Sequence, residues 1–114
     1  MGRMYIFRRM PTAIVDTNEL AALVQPDKLA QEGFPRPSRV SVVLSTDHTG
    51  EEAYYVYLIF PNETPDASLK WGKIKDMMRW VHDQVWRASG EERWPYVHVK
   101  READLFSETF GCRA

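Results

Sequence analysis

Four side chains of metal-binding type crowd one short stretch, Asp47-His48-Thr49-Gly50-Glu51-Glu52. Zinc needs three or four convergent ligands held by supporting partners, and a calcium loop needs oxygen ligands at fixed positions. This spacing matches neither pattern. The stretch reads instead as a solvated polar turn in which Asp47 accepts backbone N–H bonds. No metal and no cofactor is expected.

Two histidines raise acid–base chemistry. His82 falls at the edge of an apolar helical stripe and His98 on the outward side of a late alternating segment. A general acid and base would have to meet beside a substrate, yet no motif ties a nucleophile or carboxylate to either ring. A small enzyme using His82 or His98 is therefore kept as an alternative. Hydrogen-bonded structural histidines are the expectation. Phosphate-binding glycine loops, nucleophile elbows and paired-cysteine motifs are absent from the sequence.

The third constellation is aromatic. Ser41, Tyr55, Tyr57, His98 and Lys100 fall on one face if their segments pair as strands, placing rings and a cation on a sheet as RNA-binding sheets do. Against single-stranded nucleic-acid binding stand a formal net charge of −1, the lack of the consecutive basic-aromatic signature, and an N-terminal helix available to cover that face. The basic residues Lys70, Lys73, Lys75, Arg79 and Arg87 are interrupted by Asp76 and Asp83, as on a solvated helix face.

These residues depend on a small set of elements. Thr64 to Gly90 reads as one helix of about 65–89, with Thr64 as N-cap, Pro65 at the first helical position and Gly90 as the stop. At about 100° per residue, Ala67, Trp71, Ile74, Val81 and Val85 lie within about 60° of Met78 and form the stripe expected to pack inward. Trp80 falls about 160° away from Met78, among charged residues. It is expected either to anchor a partner or to be covered by a loop, a terminal segment or the N-terminal helix. Gly72 inside the helix suggests close approach of another backbone.

Before the helix, Val40, Val42 and Leu44 alternate, and Ala53 to Phe60 returns as a strand apolar on both faces, so the two read as a hairpin. Phe34-Pro35-Arg36-Pro37-Ser38 is an extended connector. A short helix over Glu19–Val24, capped by Asp16 or Thr17, precedes it. Tyr5-Ile6-Phe7 and Ala13-Ile14-Val15 suggest a strand or an arm. Tyr96–Lys100 is a last strand, followed by a helical turn around Asp104–Glu108 and a tail.

With 114 residues, 44% hydrophobic and 27% charged, the chain has the length and composition of one globular domain. The near-neutral balance points to neither nucleic acid nor an acidic membrane. Cys112 is the sole cysteine. No intrachain disulfide framework can form, and a cytoplasmic location is expected. No apolar run is long enough to span a bilayer or to serve as a signal-peptide core.

The reading is a single α+β domain over 1–114, with an N-terminal arm and a C-terminal tail: a three- to four-stranded antiparallel sheet packed against one long helix and a short N-terminal helix. A ferredoxin-like arrangement is one way to close it. The expected role is a protein-interaction module, self-associating as a homodimer or companion to another protein. Its anchors would be Trp80, Trp86, Tyr55 and Tyr57, framed by His98 and Lys100.

Overall fold

The computed structural model describes residues 16–104. The candidate strand or arm at 5–15, the tail beyond Asp104 and Cys112 lie outside the described residues. Helix α1 (Thr17–Leu23) starts where Asp16 Oδ1 accepts hydrogen bonds from the backbone N–H of Asn18 and Glu19, at 2.7 and 3.2 Å. This is the side-chain cap that frees the first turn from unpaired donors. Helix α2 (Pro26–Gln31) opens on Pro26 in its first turn, where the absent N–H leaves no bond unmade. The proline connector then feeds β1 (Arg39–Thr46), followed by β2 (Glu52–Phe60), helix α3 (Trp71–Ala88) and β3 (Pro95–Arg101).

β1 and β2 form the expected antiparallel hairpin, with Val42 opposite Val56 and Val43 opposite Tyr55. β3 pairs with the other side of β2, Val56 opposite Val97, and runs parallel to it. The sheet is therefore mixed, in the order β1-β2-β3, and the wholly antiparallel expectation is corrected. The cause is the connection: a helix between two strands carries the chain back to the end from which β2 set out, so a strand laid directly beside β2 must share its direction. A ferredoxin-like sheet would insert another strand between these two. Here they are hydrogen-bonded neighbours, with Tyr54 N donating to Trp94 O at 3.0 Å.

Period-two alternation gives the sheet two unlike faces. Tyr54, Val56, Leu58 and Phe60 of β2 are wholly buried, and they join Leu20, Val24, Leu29, Ile74, Met77, Val81 and Val85 in one core. α1 packs beside β1 and α3 beside β3. This face holds the fold together. Fully burying such side chains contributes about 1.5–3 kcal/mol each before conformational entropy is charged against it.

The long helix differs from its expected form at its start. Pro65 caps a 3₁₀ turn over Asp66–Leu69, Lys70 is extended, and α-helical geometry begins only at Trp71. A wheel drawn through that break misplaces everything before it, so Ala67 is exposed and Trp71 is 68% exposed rather than part of the inward stripe. Within α3 the buried residues are Ile74, Met77, Val81 and Val85. Met78 is half-buried, so the stripe is centred nearer Met77. Gly90, with φ 86°, follows the helix as expected. Arg101 ties the end of β3 to the helix entry: its guanidinium donates to Asn62 O, Thr64 O and Asp66 Oδ1 at 2.8, 2.7 and 2.8 Å.

Gly72 has no close neighbour. A methyl group built on its α-carbon meets no atom within 4 Å, so the expected close approach of another backbone is absent. Gly72→Ala should therefore raise the unfolding free energy by about 0.5–1 kcal/mol, by lowering the entropy of the unfolded chain and favouring helix. Urea denaturation of the two proteins checks this.

Candidate interaction surface

At the hairpin tip, Asp47 organises the turn. Its Oδ1 accepts from Thr49 N at 2.8 Å, Thr49 Oγ1 at 2.6 Å and Glu51 N at 3.1 Å. Its Oδ2 accepts from the Tyr96 hydroxyl at 3.1 Å. These donors, the Thr49 hydroxyl first, hold the Asp47 carboxyl at about 2, below its ordinary 3.8. Burial and the Asp47 partner push the Tyr96 phenol up. Among the described residues, no three His, Cys, Asp or Glu side chains converge as a metal site. Glu52 instead pairs with Arg93, Nε to Oε1 at 2.9 Å, and that bond raises the Arg93 pKa.

The sign of the Asp47 effect is set by its depressed folded value. Its contribution to stability is complete above the unfolded pKa near 3.8 and is lost as pH falls through the folded value. Denaturant midpoints between pH 4 and 2 should fall more steeply for the wild type than for Asp47→Asn, which cannot titrate. Equal slopes would detach the carboxylate from the turn.

The two histidines part company. His82 Nδ1 lies 3.0 Å from the carbonyl oxygen of Pro95. A carbonyl only accepts, so Nδ1–H donates to it. The ring packs with Trp94 and Trp86, centroids 4.4 and 6.3 Å away, and the two indoles are 5.5 Å apart. His82 thus belongs to the helical side of the sheet. His98 alternates with Val97 and Val99 of the core side and projects from the opposite face. The sheet lies between the two rings, so they do not form an acid–base pair.

On that opposite face the aromatic residues assemble. Register places Tyr55 beside Tyr96 and Tyr57 beside His98. The rings run in sequence Tyr96, Tyr55, His98, Tyr57, with successive centroids 5.3, 6.0 and 5.4 Å apart and planes within 22°, 4° and 21° of parallel. Same-face residues of one strand are about 6.6 Å apart, which leaves room for one ring of the neighbouring strand between two of its own. Rings lying side by side in one plane could not come to 5.3 Å while keeping carbon atoms at the usual separation of about 3.5–4.0 Å. They therefore overlap as offset stacks rather than lying edge to edge in one plane.

All four rings are half-buried, and none belongs to the core cluster that α1, α2 and α3 close over the first face. The described N-terminal helices thus pack on the side away from the rings. Val43 on this face is 45% exposed. Ile59, between Arg39 and Lys100 in the register, is buried at 2% exposure. Lys100 and Ser41 share the face, as the alternation predicts.

The remaining sequence candidates go elsewhere. Trp80 is half-buried against the core, its ring 6.0 Å from Phe34 of the proline connector, which covers part of it. Trp86 lies in the His82 and Trp94 cluster. Tyr96 and Trp94 were not among the sequence candidates. Alternation along β3 already carried the signal for Tyr96, whereas nothing in the pattern marks Trp94, which precedes its strand and is 51% exposed. Two recesses lie away from the rings and the histidines: one of about 280 Å³ between Phe34, Arg36, Ser68 and Lys73, and another of about 270 Å³ between Glu51, Glu92 and Arg93. No protein-family model and no curated protein sequence matches this chain.

Proposed function

We propose that this chain is a small protein-interaction module that docks a partner protein on the ring-bearing face of its sheet, in a reducing cytoplasm. The single observation that carries the reading is the stack Tyr96–Tyr55–His98–Tyr57, set on the face that the hydrophobic core does not use. Tyrosine and histidine offer an apolar body with a polar rim. An interface can bury such apolar bodies at its centre and keep the polar tips at its rim.

Single-stranded nucleic acid fits the same rings less well. Base stacking needs an open ring face, and both inner rings of the row, Tyr55 and His98, already have a neighbour on each side. The formal net charge of −1 adds no general attraction for phosphate. A small enzyme has weaker support still, because the sheet separates His82 from His98.

Affinity purification from the native host, with the wild type beside Tyr57→Ala, tests the reading when each captured protein is then purified and titrated. The module predicts a partner bound at least about tenfold more weakly by Tyr57→Ala, as expected for an aromatic anchor. Equal binding by the two proteins contradicts it. So would salt-sensitive binding of a single-stranded oligonucleotide that Tyr57→Ala abolishes.

A further inference from the structure

We infer that β1 pairs through its outer edge with β1 of a second copy of this chain, antiparallel about a two-fold axis at Val43, to make one continuous sheet. Among the described residues no strand pairs with that edge. Arg39 and every residue from Val43 to Thr46 are exposed, Val43 at 45% and Leu44 at 42%. The opposite border strand, β3, carries Pro95, Lys100 and Arg101, residue types that discourage strand addition. From Val40 to Thr46, β1 carries no charge, no proline and no glycine.

Hydrogen-bond parity decides which groups are free. Asp47 N donates to Glu51 O at 2.8 Å, so in the register of the hairpin the odd residues of β1 turn N–H and C=O toward β2. Val40, Val42, Leu44 and Thr46 must then aim theirs outward. A two-fold axis perpendicular to the sheet at Val43 sets Val42 opposite the partner's Leu44 and Val40 opposite the partner's Thr46, and each outward donor meets an acceptor. On the ring-bearing face Val43 meets the partner's Val43, and Arg39 comes opposite the partner's Asp47 at both ends. Shifting the register by two residues keeps the backbone bonds but gives up the Val43 self-contact and the charge match.

Such a pairing leaves both ring stacks on one side of the joined sheet. It stands whether or not that face docks a partner, and the two ideas fail by different measurements.

Sedimentation of the full chain should give a mass of two chains. Leu44→Pro removes an outward N–H and no bond to β2, so it should give a monomer with an unchanged far-ultraviolet spectrum. If proline disturbs the hairpin, Leu44→Lys, which keeps the backbone and adds an edge charge, should raise the dimer dissociation constant at least about tenfold. In a Cys112→Ser background, Val43→Cys should cross-link under oxidised glutathione, because opposed residues of this type sit about 4.5 Å apart at Cα, within the range a disulfide bridges. Ser45→Cys, placed opposite the partner's Ser41, should not. A single-chain mass up to hundreds of micromolar overturns the inference. So does a dimer indifferent to both Leu44 substitutions, or equal cross-linking of the two cysteine variants.

Discussion

Met77→Ala should lower the unfolding free energy by about 2–5 kcal/mol, while Met78→Ala, one residue on, should cost about 1 kcal/mol. Met77 is wholly buried and sits in the core with Val81, Val85 and Leu58. Truncating it removes the transfer free energy of three heavy atoms and leaves a cavity that a close-packed interior cannot fully collapse. Met78 is half-buried at the edge of the same cluster, and solvent can enter the space it leaves. Urea denaturation of the three proteins gives the comparison directly, since a domain of this size loses roughly 4–8 °C of melting temperature per kcal/mol. Equal costs would mean that the helix is rotated from the phase described.

The second large effect concerns Trp80. Trp80→Ala should destabilise the fold by about 2–3 kcal/mol, less than the ~3–5 kcal/mol of a fully buried indole because part of the ring is already wet. The loss comes from the core contacts of the indole and from Phe34, whose ring sits 6.0 Å away at 55°. A double-mutant cycle with Phe34→Ala should return a coupling of about 0.5–1.5 kcal/mol, the usual range for an edge-tilted aromatic pair. An additive pair with a near-neutral Trp80→Ala would show instead that the ring is unnecessary to the fold and free for docking.

How much of this was legible beforehand follows from what each signal encodes. Alternation gave the hairpin, its two faces and the shared side of Tyr55, Tyr57, His98 and Lys100, because side-chain period is a local property of a strand. Strand direction is not local. Nothing in Tyr96-Val97-His98-Val99 says whether it runs with or against β2; the helix in between decides that, and the parallel pairing was missed. The helical wheel found Ile74, Val81 and Val85, but it ran through Lys70, where the chain is extended, and so carried Ala67 and Trp71 inward. Phe34 belongs by its prolines to a connector; that the connector packs its ring against Trp80 is a tertiary fact with no sequence period. The turn chemistry of Asp47 was legible because it acts within four residues, whereas its bond to Tyr96, 49 positions away, was not.

The division of labour between the two faces can be measured without knowing any partner. Tyr57 is half-buried and stacked on His98, so Tyr57→Ser should cost no more than about 1 kcal/mol in urea denaturation, the range of a cross-strand pair on a sheet surface. The proposed docking role requires rings that are dispensable to folding. A loss of about 3 kcal/mol or more, equal to that of Met77→Ala, would make the ring face a second structural core and contradict the account.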